Sequence, residues 1–270
     1  MNPLHAFLLG IVEGLTEYLP VSSTGHLLLV CRWLGIQKAQ ADSFSIVIQA
    51  GAILAVLVQY RELLWRHLRG VLASDACLFW LFVALAMACA PTVIVALLLR
   101  KIIKAYLFGM VPVAVGLFVG GVVMIAVDRM RRRTALTGTE RSVEDVGFRE
   151  ARIVGAAQIA ALWPGTSRSL AAIVGGQLAG LTPRAAADFA FLLGLPTLGG
   201  ACLYEGYKER VVLAECGGLA IAIGMVTSFF VAWAVIAAFL RYLKQGSFVP
   251  FGIYRIVLAV VVLASAWALG

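Results

Sequence analysis

Between Glu13 and His26 the chain reads EGLTEYLPVSSTGH, and between Trp163 and Ser169 it reads WPGTSRS. Both segments are flanked by runs apolar enough to enter a bilayer. An ionised side chain at the bilayer centre costs roughly 2.5–3.5 kcal/mol on insertion scales. Polar groups kept there are better explained by a task than by stability. Glu13 and Glu17 are spaced one helical turn apart and share a face. Like charges so placed repel unless a cation lies between or near them. A hard divalent ion, magnesium or calcium, held by one or two carboxylates and completed by phosphate oxygens, would satisfy both.

Ser22, Ser23 and Thr24 follow a break at Leu19-Pro20, where a second helix begins. The free N–H groups of a helix start favour an anion. One hydroxyl can serve as the cap, but three exceed that need. Ser23 is the candidate nucleophile. A hydroxyl needs a base in reach, and Glu17 or His26 can supply it; His26 as the nucleophile stays open. Thr166-Ser167-Arg168-Ser169 forms another helix start. Guanidinium matches phosphate oxygens bidentately, so Arg168 reads as a clamp, with Glu13 or Glu17 as its partner when substrate is away. Ser22, Thr24, Ser167 and Ser169 read as further phosphate contacts. Arg255 either snorkels to the interface or makes a second phosphate contact. Gln49 either lines a cavity or bonds a neighbouring helix. Asp188 reads as a helix cap and Glu215 as an interfacial group. His5 and His67 have no polar company and receive no role. The two clusters together suit a phosphate ester at a membrane.

The elements that must position these groups follow from composition. The 270 residues are 62% hydrophobic and 13% charged, against about 45–50% apolar and about 25% charged for a soluble domain. The expected fold is all-α: a polytopic helical membrane protein. Full spans are expected at about 43–60, 76–99, 106–127, 186–204, 212–240 and 251–269. Residues 3–35 and 152–181 are different, because proline breaks each near its middle and each half is too short to cross. They read as two re-entrant helical hairpins, tolerated only where buried or lining a cavity.

The two broken stretches align without a gap: Pro164 and Ser167 each lie 144 residues after Pro20 and Ser23. Three spans separate them, and an odd number inverts the second copy. The expected architecture is an inverted-topology repeat with the polar site where the copies meet. One membrane domain covers 1–270, with repeat one at about 1–128 and repeat two at about 152–270. A charged cytoplasmic loop, 129–151, joins them.

The net charge of +8 is explained by positively charged cytoplasmic loops, so nucleic acid is not an expected partner. Cys31, Cys77, Cys89, Cys202 and Cys216 lie in or beside apolar segments without CxxC spacing. They read as small buried hydrophobes. No cleavable signal peptide is expected, since the first apolar run carries two acids and lacks a basic lead. With the hairpins returning to their own sides, 13 Lys and Arg fall on one side and 7 on the other. The richer side, with 129–151, is assigned to the cytoplasm. The first hairpin then enters from outside.

The assembled motifs resemble the bacterial undecaprenyl-diphosphate phosphatase family, also called the bacitracin-resistance protein family. EGLTEYLPVSSTGH, IQAGAILAV (48–56), WPGTSRS, DFAFLLGLP (188–196) and FVPFGIYR (248–255) occur in that family's order across the chain. The resemblance implies a metal-dependent enzyme that hydrolyses undecaprenyl diphosphate to undecaprenyl phosphate, so that the carrier lipid is reused for cell-wall building. It points to Glu13 and Glu17, to Ser22, Ser23, Thr24 and His26, and to Ser167, Arg168 and Ser169. It also agrees with an active site on the outer side of the bacterial inner membrane. The expected partners are undecaprenyl diphosphate and the lipid bilayer, with a homodimer allowed. Two positions depart from the family's pattern: Leu170 replaces a usual glycine, and Asp188 a usual glutamate.

Two rival readings are weighed. A phosphatidic-acid-phosphatase-type site needs SRxxxxxH, but Val174 occupies the histidine position and no histidine follows His67. A polyprenyl-phosphate transporter or flippase would use the same inverted-repeat cavity, yet moving a head group does not require a nucleophile, a base and a metal.

Overall fold

The computed structural model describes residues 1–73, 75–133, 142–244 and 246–268. Among them are twelve α-helices and two 3-10 turns, with no strand. They are α1 (Pro3–Thr16), α2 (Ser23–Trp33), α3 (Lys38–Gln59), α4 (Arg61–Leu72), α5 (Ala76–Tyr106) and α6 (Met110–Arg133). The second half supplies α7 (Phe148–Gln158), α8 (Arg168–Leu178), α9 (Pro183–Lys208), α10 (Arg210–Cys216), α11 (Gly218–Tyr242) and α12 (Val249–Ala268). Six of them, α3, α5, α6, α9, α11 and α12, are long and apolar enough to cross a membrane. This is a multi-pass helical membrane protein, as the composition requires.

Some boundaries differ from those read from the sequence. The span expected at 212–240 begins only at Gly218, because Gly217 takes a left-handed φ of 84° and divides α10 from α11. Glu215 therefore lies in the short α10 and not inside a span. The loop expected at 129–151 is partly helical: Arg129 to Arg133 continue α6, and Phe148 to Ala151 begin α7. Its middle, 134–141, lies outside the described residues.

The two broken stretches form helix pairs separated by short turns. α1 ends at Thr16 with Glu17 as its C-cap, and α2 starts at Ser23. In the second copy α7 passes into a 3-10 turn (Ile159–Leu162), and α8 starts at Arg168. Trp163-Pro164-Gly165-Thr166 is a tight turn closed by Thr166 N–H to the Trp163 carbonyl at 3.1 Å. Proline in second place and a glycine at φ 92° in third is the pattern of a type II turn.

The halves pair in corresponding ways. α1 packs on α11, and its counterpart α7 packs on α5. Gly10 lets α1 approach Gly224, and Gly155 lets α7 approach Ala88, the close backbone packing that drives helix association in lipid. α6 packs on α12, and α3 on α9.

Polar contacts between helix ends separate into two sets among the described residues. One set joins Arg66 to Glu144, Tyr60 and Arg184 to Asp188, and Arg132 and Ser247 to Asp128. The other joins Lys38 to Phe108, Arg32 to Met110, Arg100 to Tyr204 and Glu205, and the Met1 amine to Cys216. Each set links segments that the Lys/Arg count assigns to one side. Asp188 does not cap its helix. Thr182 does so through Ala185 N–H, while Asp188 accepts from Tyr60 Oη at 2.5 Å.

A side chain at Gly165 would strike the Val113 carbonyl and force an L residue into a left-handed backbone. Gly165→Ala should therefore destabilise the fold by more than about 1 kcal/mol. Thermal unfolding in detergent measures this, and an unchanged midpoint would contradict the close approach.

Candidate functional site

The site is built where the two breaks meet. A cavity of about 230 Å3 lies there. Glu17, Ser22, Ser23 and Thr24 wall it from the first hairpin, and Gly165, Ser167 and Arg168 from the second. Gln49, Thr92, Gln158 and Thr197 complete the wall from α3, α5, α7 and α9. Of the two readings for Gln49, both are met in part: it lines the cavity, and its Oε1 lies 3.9 Å from Cys202 Sγ.

Each helix start is capped by a serine in a left-handed conformation. Ser22 has φ 71° and accepts from Gly25 N–H at 3.4 Å. Ser167 has φ 75° and accepts from Leu170 N–H at 3.3 Å. Such backbone costs roughly 1–3 kcal/mol at a non-glycine residue and persists only where its surroundings impose it. It turns the next residue of each hairpin toward the cavity, Ser23 in one and Arg168 in the other.

These caps correct the repeat register. Ser22 matches Ser167, an offset of 145, and Gly10 matches Gly155 at the same offset. The offset of 144 holds only for the prolines. With the caps in register, the second hairpin reaches its proline one residue sooner, so Ser167 lies three residues after Pro164 where Ser22 lies two after Pro20. By this register Glu13 corresponds to Gln158, and Ser23 to Arg168.

Ser23 Oγ donates to Glu17 Oε2 at 2.5 Å, and Arg168 Nη2 donates to Glu17 Oε1 at 3.4 Å. One buried carboxylate thus spans a hydroxyl of the first hairpin and a guanidinium of the second. Arg168 is held further by Nη1 to the Ala190 carbonyl at 2.9 Å and by the Tyr18 ring, 5.8 Å from its Cζ. Gly194 leaves room for its guanidinium. Ser169 Oγ bonds the Leu19 carbonyl at 3.0 Å and Ser167 Oγ at 2.9 Å, which fastens the two breaks together. Ser169 is thereby spent on structure and does not wall the cavity. Leu170 packs in the core and serves Ser167 only through its backbone.

Besides Ser169, two sequence readings are not met. His26 does not wall the cavity and does not touch Ser23. Its Nδ1 faces the Ser22 carbonyl at 2.7 Å, which can only accept, so Nδ1 carries a proton. Its Nε2 is 2.7 Å from Tyr254 Oη, and the two rings stack. Glu17 is the carboxylate in reach of Ser23. Arg255 neither snorkels nor reaches the cavity. It is fully buried, and both Nη atoms are committed to backbone carbonyls.

Glu13 lies behind Glu17, is fully buried, and has no hydrogen-bond partner for either oxygen among the described residues. Glu17 and Arg168 are the charged groups acting on it. Among the described residues no three His, Cys, Asp or Glu side chains come together as a metal site. An orphaned carboxylate beside a second one, with open space for phosphate oxygens, nevertheless fits a hard divalent ion that keeps few protein ligands.

The sequence reading missed Thr92, Gln158 and Thr197. Thr92 stands next to Pro91 in mid-span, and Gln158 stands opposite Glu13 once the register is set at 145. Both are polar interruptions of apolar helices, which is the signal that could have found them.

Comparison with known proteins identifies the family. Residues 6–261 match the family described as bacitracin resistance protein BacA. An undecaprenyl-diphosphatase of Sorangium cellulosum is 52% identical over 260 residues, covering 96% of this chain and 84% of that protein. One of Albidiferax ferrireducens is 43% identical over 270 residues, covering 98% and 95%. Another, of Deinococcus radiodurans, is 43% identical over 268 residues, covering 97% and 95%. With so much of its length matched, the chain belongs to the bacitracin resistance protein BacA family.

Proposed function

We propose that this chain hydrolyses undecaprenyl diphosphate to undecaprenyl phosphate and inorganic phosphate. The reaction returns the carrier lipid to peptidoglycan synthesis and supports bacitracin resistance. The observation that carries the reading is the chain of contacts from Ser23 through Glu17 to Arg168, which joins nucleophile, base and cation across the two breaks. A carrier that only moved a head group would need the cation but not the paired hydroxyl and carboxylate. The names of the relatives support the same substrate.

Ser23 Oγ attacks the terminal phosphorus, and Glu17 takes its proton. The anhydride bond breaks, and undecaprenyl phosphate leaves as a stable anion that needs no acid. Once Glu17 has passed its proton to solvent, it draws a proton from water, whose oxygen attacks the phosphoserine; the Ser23 Oγ–P bond breaks, Glu17 returns the proton to Oγ, and inorganic phosphate is released. Arg168 and the N–H groups at the starts of α2 and α8 stabilise charge on the phosphoryl oxygens, the dominant contribution in such transfers. Ser22, Thr24 and Ser167 contribute oxygen contacts from the wall. Magnesium or calcium, held by Glu13 and Glu17 together with phosphate oxygens, supplies further charge neutralisation when bound.

We assign the protein to the bacterial cytoplasmic membrane with the first hairpin entering from outside. The 13-to-7 excess of Lys and Arg supports that orientation.

Purified protein tests the mechanism. Ser23→Ala should lower phosphate release by about 10³-fold or more, as expected for loss of a nucleophile. Ser22→Ala should cost less than about tenfold, since a cap is worth about 1 kcal/mol. Equal effects would remove Ser23 from its role.

Chelator should silence the wild type, and magnesium or calcium should restore it. Glu13→Gln and Glu17→Gln should each raise the metal concentration needed for half-maximal activity, and Glu17→Gln should also lower the rate at saturating metal, because it removes the base of Ser23. Full turnover in excess chelator would rule out the ion.

An impermeant thiol reagent on intact cells should label Gln37→Cys, on the exposed turn before α3. It should not label Gly138→Cys, which lies outside the described residues. Labelling of Gly138→Cys alone would invert the orientation.

A further inference from the structure

Arg255 is the largest fully buried side chain, at 0% exposure. Among the described residues no carboxylate pairs with it. A buried unpaired cation is costly unless its donors are satisfied. Nη1 donates to the Pro20 carbonyl at 3.1 Å. Nη2 faces three more carbonyls: Gly116 at 3.1 Å, Gly165 at 2.8 Å and Thr166 at 2.9 Å. Pro20 belongs to the first break, Gly165 and Thr166 to the second, and Gly116 to α6. The residues bonded lie just before the caps, two ahead of Ser22 and one and two ahead of Ser167. α6 is shaped around the group, because a side chain at Gly120 would collide with the guanidinium.

From this we infer that Arg255 is a positioning residue of the site: its planar fork ties the two helix breaks to α6 and so fixes the distance between Ser23 and Arg168. It is not itself part of the cavity wall and bonds only backbone carbonyls, so it acts through the two breaks and not on substrate. Each hairpin keeps its own phosphate contacts without the tie. What the tie supplies is their mutual alignment, which matters most when both act on one phosphorus. Its loss should fall on kcat and spare KM. This rests on the hydrolytic reading only where turnover is the measure.

The test is Arg255→Lys, purified in detergent. Lysine keeps the charge but presents donors from a single point, so it cannot span both breaks. The expected result is a fall in kcat of about 10²-fold, the usual consequence of ångström-scale misplacement, with KM and inhibition by inorganic phosphate little changed. Hydrogen exchange gives a measure independent of turnover. The Val21 and Thr166 amides, each bonded within its own break, should exchange faster, while α6 and α12 stay protected. Gly120→Ala, which displaces the guanidinium but keeps it, should shift the same quantities in the same direction by less.

An unchanged kcat in either folded variant would overturn the assignment. A parallel rise in KM and in the phosphate inhibition constant would replace it with direct substrate contact. Failure of both variants to fold would make Arg255 a folding determinant only, and would overturn it too. If the wild type released no phosphate, the hydrolytic reading would fall, and unchanged exchange at Val21 and Thr166 would still refute the tie.

Discussion

Glu17 is a carboxylate inside an apolar bundle, and it cannot stand alone there. Its two oxygens go to different halves of the chain, one to the Ser23 hydroxyl and one to the Arg168 guanidinium. Breaking a buried pair by removing one partner costs about 3–5 kcal/mol. The breaks in the two hairpins are therefore held at one depth by electrostatics as well as by packing. Everything else near the site accommodates that meeting: the strained serine caps, the tight turn at Gly165, and the glycine at 194 that clears space for the arginine.

The broad plan was legible because bilayers impose coarse rules. Twenty apolar residues span and ten do not, and a proline followed by small polar residues breaks an apolar stretch at 20 and at 164, whereas Pro91 and Pro196 are carried inside long spans. Hence the spans and hairpins emerge from the sequence alone, and so do Glu17, Ser23 and Arg168. What failed to emerge depends on side-chain direction and on backbone angles. His26 lies three residues from Ser23 in the chain, yet the helix turns it outward to Tyr254. Arg255 reads as a membrane-edge cation or a second phosphate contact, and only the carbonyls of Pro20, Gly116, Gly165 and Thr166, from three separate segments, reveal its place. The offset of 144 matches Pro20 with Pro164 and Ser23 with Ser167, but the residue equivalent to Ser167 is the cap Ser22, which only the backbone angles reveal.

The corrected register explains why two similar hairpins do different work. At equivalent positions the first carries Glu13 and Ser23, and the second carries Gln158 and Arg168. The same backbone device, a left-handed serine before a helix start, presents a hydroxyl in one case and a cation in the other. Symmetry supplies the geometry, and departure from symmetry supplies the chemistry.

The packing of α1 also bears on how the chain is made. α1 finds its main partner in α11, and the Met1 amine bonds the carbonyl of Cys216. Both partners leave the ribosome long after the first hairpin. α7 differs, since its partner α5 is already in the membrane when α7 arrives. The first hairpin, with halves too short to cross, therefore lacks its main packing partner until α11 has been made. Arg255, which closes around both breaks, arrives later still. Contacts so distant in sequence form slowly. The pocket between the breaks thus depends on contacts from the last helices to be made, and a chain cut short before α12 would lack Arg255, which bonds both breaks, however complete its hairpins.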